Sequence, residues 1–303
     1  MTISPIVLFV YNRPWHVRRT VEALQKNDLA AQSELIVFSD GPKTPEACAK
    51  VEEVRQYLKT VSGFKRVQIR EQKNNQGLAK SIIRGVTETV NEYGRVIVIE
   101  DDLVTSPYFL KYMNDGLDLY EQDHRVISVH GYVYPVKPSL PETFFIKGSN
   151  CWGWGTWKRG WDLFESSGEI LLKKLIDQNL AGEFDFNGSY PYTEMLKAQI
   201  AGKNDSWAVR WYASAFLNNK LTLYPGTSLV SNIGNEGSGT HSCVNEILDV
   251  RLAQAPVSIK KIEVAEHGEE RKIFEDFFRI MKGTSVTSLR KKIGKVLKRY
   301  LGK

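Results

Sequence analysis

Cysteine is scarce in this chain of 303 residues: only Cys48, Cys151 and Cys243 occur. Their number is odd, they stand far apart and none belongs to a CxxC pair. That argues against a zinc knuckle and fits a reducing cytoplasm. No glycine lies between Met1 and Gly41, and no GxGxxG follows the first apolar run. A glycine cradle for phosphate is therefore not expected there. No run approaches the ~18 apolar residues of a membrane-spanning helix. The opening stretch, MTISPIVLFVYNRPW, has an apolar run but no basic leader and no small-residue cleavage site. It reads as a first strand rather than a secretory signal. No repeat or low-complexity segment occurs. Acids are missing from Thr284 onward, where seven bases stand: Arg290, Lys291, Lys292, Lys295, Lys298, Arg299 and Lys303. Without these seven, 34 bases face 35 acids. A near-neutral globule with a basic tail does not have the charge of a general nucleic-acid binder.

What is present in the first half is an alternation of strand and helix patterns. PIVLFVY, ELIVFSDG, RVQIR and RVIVIEDD read as buried strands, with amphipathic helices between them. Val17, Val21 and Leu24 share one helix face, as do Val51, Val54, Leu58 and Val61. This order predicts an α/β fold with a parallel sheet covered on both faces. Ligands of such sheets sit at the carboxyl ends of the strands. That rule gathers Asn12 and Arg13, Asp40, Asn75 to Lys80, and Glu100 to Asp102 along one rim. In SPYFLKYMNDGLDLY, Ser106 is expected as an N-cap with Pro107 at the first helical position. Beyond residue 140 aromatics increase. Helices are expected over Glu169–Asn179, Tyr190–Ala201 and Ser206–Asn218, and strands at RVISVHGY and LTLYP.

Three adjacent carboxylates at a strand end call for a positive partner or open water. A hard divalent cation takes oxygen ligands, often one or two carboxylates plus substrate phosphates. The alternative is acids favouring the start of the next helix. Arg13 can stack on a base or pair with phosphate, or be a surface arginine before a helix-starting proline. In NCWGWGTWKRGWDLF, glycines between Trp152, Trp154 and Trp157 suggest a tight loop presenting aromatics. Core packing is the alternative reading. VTSLRKKIGKVLKRYLGK places apolar residues at helical spacing opposite a wholly basic face. That pattern describes a helix lying on an anionic membrane surface, or one docked on the domain.

VIVIEDDLVTSPYFLKYM resembles the acidic metal motif of GT-A-fold glycosyltransferases, in the variant of N-acetylglucosaminyltransferase I. NCWGWGTWKRGWDLF, NDSWAVRW and LYPGTSLVSNIGNEGSGTHS resemble bacterial family-2-like sugar transferases linked to surface polysaccharide assembly. The likeness runs from about Pro5 to Ser242. It implies a GT-A domain over 1–265, with a nucleotide-binding half to about 135, an acceptor-binding half from about 136, and a helical tail over 266–303. It implies that Asp102 binds Mn2+ or Mg2+, with His241 a second, loop-borne candidate. Asn12, Arg13, Asp40, Gly77, Lys80, Glu100 and Asp101 would hold the donor. Asp205 matches the catalytic base; its alternative role is to cap the helix that follows. Trp152, Trp154 and Trp207 are the candidates for the acceptor side, with most tryptophans in the core. The implied activity is metal-dependent, inverting transfer from a nucleotide-diphosphate sugar, expected to be UDP-linked. The acceptor would be a saccharide or lipid-linked saccharide at the cytoplasmic membrane face. A sugar-phosphate nucleotidylyltransferase and a non-catalytic carbohydrate-binding module are the rival readings.

Overall fold

The computed structural model describes residues 2–234 and 246–283. Four parallel strands form the first half: β1 (Ile6–Val10), β2 (Glu34–Ser39), β3 (Arg66–Glu71) and β4 (Arg95–Glu100). The helices between them are α1 (Pro14–Gln25), α2 (Cys48–Leu58) and α3 (Leu78–Tyr93). All five residues of β1 are buried. Ile6, Leu8 and Val10 pack with Val17, Val21 and Leu24 of α1 and with Val54 and Leu58 of α2. Val7 and Phe9 pack with Ile82, Val86 and Val90 of α3. Burial on both faces is why the strand is continuously apolar rather than alternating.

The remaining elements are β5 (Leu103–Thr105), α4 (Phe109–Leu119), β6 (Val126–His130), β7 (Thr143–Lys147), β8 (Trp154–Trp157) and α5 (Lys158–Trp161). They continue with α6 (Gly168–Asp177), α7 (Ala181–Phe184), α8 (Tyr192–Ile200), α9 (Trp207–Leu217), β9 (Leu221–Pro225) and β10 (Val230–Asn232). Residues 268–283 form a further helix, α10. The main sheet has eight strands in the order β3-β2-β1-β4-β8-β6-β9-β7, and β5 and β10 form a separate antiparallel ribbon. The fold is α/β with a large, mostly parallel central sheet flanked by helices, as expected.

Two expectations need correction. The tryptophan segment is not a loop. Its WGTW forms β8, antiparallel to both β4 and β6 in the middle of the sheet. Gly155 permits this, since a Cβ there would lie 3.0 Å from the Val96 carbonyl and 3.1 Å from Met113. Secondly, α4 starts at Phe109, not Pro107. The Ser106 hydroxyl donates to the Ala253 carbonyl at 2.8 Å, and the Phe109 N–H closes a turn on the Ser106 carbonyl at 3.1 Å. The first part of the expected tail packs on the domain. Phe274, Phe277 and Phe278 of α10 are buried with Phe144, Tyr224, Tyr212 and Phe184. The Lys147 N–H also donates to Glu266 at 2.8 Å. The rest of the expected tail, 284–303, lies outside the described residues. Among the described residues, no helix is long and apolar enough to cross a membrane.

Candidate active site

Glu100 ends β4 and pairs in register with Phe9 of β1. The carboxyl ends of β1, β2 and β4 thus lie side by side, and the turns that leave them carry the site. After β1, Pro14 opens α1 at its first position and Arg13 precedes it. Arg13 turns its guanidinium onto the acids. Its Nη2 hydrogen-bonds Asp101 and also Asp102 Oδ2, the latter at 2.9 Å; Nε reaches Asp101 Oδ2 at 3.4 Å. This is the positive partner that adjacent carboxylates require. Burial would lower the guanidinium's pKa, but the charges of Asp101 and Asp102 outweigh it and raise the value. Arg13 Nη1 is buried and makes no hydrogen bond among the described residues.

One guanidinium does not neutralise three acids. Burial, then the charges of Asp102 and Asp101, push Glu100 up to about 8. Burial also pushes Asp101 up to about 6, against the pull of Arg13. Such paired shifts are common where a site awaits a charged ligand. Asp102 is gripped from the other side. Its carbonyl accepts the Ile233 N–H at 2.8 Å, and a Cβ added at Gly234 would lie 2.4 Å from Oδ2. The β5–β10 ribbon therefore brings Gly234 against Asp102. No sequence signal marks this glycine, because the contact joins distant segments. His241 lies outside the described residues.

Asp40, at the end of β2, is committed to its own neighbourhood. Its carboxylate accepts the N–H groups of Gly41, Gln76 and Gly77 at 2.9, 2.8 and 3.0 Å, and the Asn75 amide at 3.0 Å. It thereby shapes the turn into α3, where Gly77 takes φ +80°. Beside that turn lies a cavity of about 480 Å3, lined by Phe38, Asp40, Gln76, Lys80, Ile83 and Arg84 among others. Lys80 is exposed on its wall, and Asn12 is partly exposed on the turn after β1.

Asp205 precedes α9, and its side chain is 69% exposed. It does not cap the helix: Ser206 does, accepting the Val209 N–H at 3.2 Å. Arg210 Nη2 holds Asp205 Oδ1 at 3.3 Å and is itself anchored on the Ser206 and Ser166 carbonyls. Trp207 stacks on Trp154 at 5.6 Å, and Trp154 pairs with Val98, two residues before Glu100. The start of α9 and the end of β4 therefore belong to one neighbourhood. Cys151 borders it too, since its thiol is raised by burial and then by the charges of Glu100 and Asp102.

The acceptor reading of two tryptophans is corrected. Trp154 and Trp207 are 0% and 3% exposed and stacked on each other, so neither offers a face to a sugar. Trp152 is partly exposed. Its N–H donates at 3.2 Å to Nε2 of His130, which burial lowers to about 3 and so keeps neutral.

The sequence model of the family described as Glycosyl transferase family 2 matches residues 6–159, just over half of the chain. The chain belongs to glycosyl transferase family 2. Membership of this family favours the glycosyltransferase reading over the two rivals. The matched residues contain β1 to β4, the acid triplet and β8. No curated protein was matched by sequence. Three solved structures illustrate how distant the structural relatives are. A mannosyltransferase from Pyrobaculum calidifontis, PcManGT in complex with GDP-Man and Mn2+, is 14% identical with a TM-score of 0.35, over 44% of this chain and 36% of that one. Residues 1–349 of S. aureus TarS are 14% identical with a TM-score of 0.38, over 76% of this chain and 60% of that one. Mouse xyloside xylosyltransferase 1, in its apo form, is 14% identical with a TM-score of 0.30, over 43% and 55%. The chain spans less than two thirds of the length of each. Likenesses this slight add nothing to the family match.

Proposed function

We propose that this family 2 enzyme carries out a metal-dependent, inverting transfer of a sugar from a nucleotide diphosphate, expected to be UDP, to a saccharide or lipid-linked acceptor. The observation that carries the proposal is the triplet Glu100, Asp101 and Asp102 at the carboxyl end of the central strand, balanced among the described residues by Arg13. Among the described residues no preformed group of three or more His, Cys, Asp or Glu cages a cation. The triplet nevertheless fits a hard divalent cation: it offers only carboxylate oxygens, and such sites are often completed by substrate phosphates. Asp102 would hold Mn2+ or Mg2+ with the donor diphosphate, and His241 is a further candidate ligand. The cation, when bound, supplies Lewis acidity to the leaving diphosphate.

The chain's own residues supply the rest. Asn12, Arg13, Glu100 and Asp101 border the donor on the β1 and β4 side. Gly77 and Lys80, on the turn shaped by Asp40, border it on the other. The adjoining cavity has the volume of a small-molecule site and is the proposed seat of the nucleoside. Asp205 takes the proton of the acceptor hydroxyl onto a carboxylate oxygen, with Arg210 fixing its direction. That hydroxyl displaces the diphosphate in one step, so no enzyme nucleophile is needed. Trp152 is the remaining aromatic candidate for the acceptor side. The basic helix expected over 286–303 would hold the enzyme at the inner membrane face.

Asp205→Asn should keep donor binding while transfer falls ~10²–10⁴-fold, the usual worth of a general base. Near-normal turnover in that variant would sink the assignment. Thermal shift with UDP and Mn2+ together should exceed the sum of each alone, and Asp102→Ala should abolish that excess.

A further inference from the structure

Arg13 and a cation at Asp102 compete for one oxygen. Arg13 Nη2 stands 2.9 Å from Asp102 Oδ2. A divalent ion ligated by that oxygen, at about 2.0–2.6 Å, would stand within roughly 5 Å of the guanidinium nitrogen, and like charges so close repel. Moving one of the two side chains away relieves that repulsion.

Asp102 has little freedom. Gly234 lies against its carboxylate so closely that a Cβ there would sit 2.4 Å from Oδ2, and Ile233 holds its carbonyl at 2.8 Å. Arg13 has more. Its side chain is long and 20% exposed, and it keeps a second carboxylate, Asp101, when it leaves Asp102. Its Nη1 is buried with no partner among the described residues, so the present pose leaves there a donor that a new pose can satisfy.

We propose that Arg13 is an internal stand-in for the cation. It neutralises the triplet while no cation is bound. It releases Asp102, but not Asp101, when a divalent ion enters. The inference rests on the reading that Asp102 binds a divalent cation. The ion's affinity is then set by an exchange. If only the released state of Arg13 is competent, the apparent affinity falls by the fraction of molecules in that state. Arg13 is in this sense a positioning residue with two positions.

The test is calorimetric titration of the full chain with MnCl2, without nucleotide. Arg13→Gln, which removes the competing charge, should bind Mn2+ about tenfold tighter or more than wild type. The same variant should melt lower than wild type without Mn2+, because its triplet has lost its counter-charge. Arg13→Lys, a point charge in place of a fork, should tighten binding less, and it carries the test if the glutamine variant does not fold. Equal or weaker Mn2+ binding by a folded variant, with wild type binding normally, overturns the exchange alone. No binding by wild type or variant, without nucleotide and at saturating UDP alike, overturns the metal reading and the exchange with it.

Discussion

Single side chains here hold chain segments apart or together by charge. Asp40 accepts three backbone N–H groups and one amide, and so ties the end of β2 to the start of α3. Hydrogen bonds to an ionised acceptor are each worth about 1.5–3 kcal/mol. Asp40→Ala should therefore cost about 2 kcal/mol or more in urea unfolding, and the amides of Gln76 and Gly77 should exchange faster. Gly234 acts by having no side chain. Gly234→Ala forces a methyl against Asp102, and overpacking of this kind costs about 1–3 kcal/mol. It should also shrink the thermal shift given by Mn2+, measured beside a distant control such as Gly182→Ala, where a Cβ meets nothing within 4 Å. Neither role was legible in the sequence. Asp40 was visible as an acid at a strand end, but its partners were not.

Elements show a different division. The four parallel strands and their helices were legible, because β1, β2 and β4 are buried and need apolar runs, the edge strand β3 alternates apolar with polar residues, and amphipathic helices need a repeating apolar face. β8 was not legible. A glycine between two tryptophans reads as a turn, and only the neighbouring strands show why it is a strand. Val96 and Met113 crowd Gly155, while Trp154 fills the space against Trp161, Trp207 and Trp211. Trp154→Ala should cost about 3–5 kcal/mol, the usual range for emptying a buried aromatic site. Near-UV circular dichroism would report the loss of the stacked indoles, and a cost below 1 kcal/mol would mean that β8 does not depend on that packing. At α9 the Asn-Asp-Ser run announced a helix start correctly, but the cap is Ser206, which leaves Asp205 exposed beside Arg210.

At the scale of the molecule, the acids at the end of β4 link stability to pH. Glu100 rises from an ordinary 4.5 to about 8, and Asp101 from 3.8 to about 6. A raised carboxyl holds its proton more tightly when folded. Its stabilising contribution is full below the unfolded value and is lost as pH rises through the folded one. The metal-free protein should therefore lose melting temperature between about pH 5 and pH 8.5. Glu100→Gln should flatten that slope, and Mn2+ should offset it by stabilising the ionised acids. A melting temperature that rises across the same range would contradict the electrostatics described here. The basic residues 284–303 make a separate claim at this scale. Liposome flotation of the protein cut after Lys282 should show weaker binding to anionic vesicles than the full chain, and unchanged binding would remove the membrane role.

Sequence by itself determined the α/β class, the rim of polar residues at the strand ends and the acid triplet as the centre of interest. Those follow from local rules: which residues tolerate burial, which faces repeat, and where a strand must stop. Tertiary structure decided what each polar residue touches. It gave Arg13 to the acids, Asp40 to its own turn, Gly234 to Asp102, and Trp154 and Trp207 to the core. Those pairings join segments far apart in the chain, and no local pattern encodes a distance between two strands until the sheet has set their order.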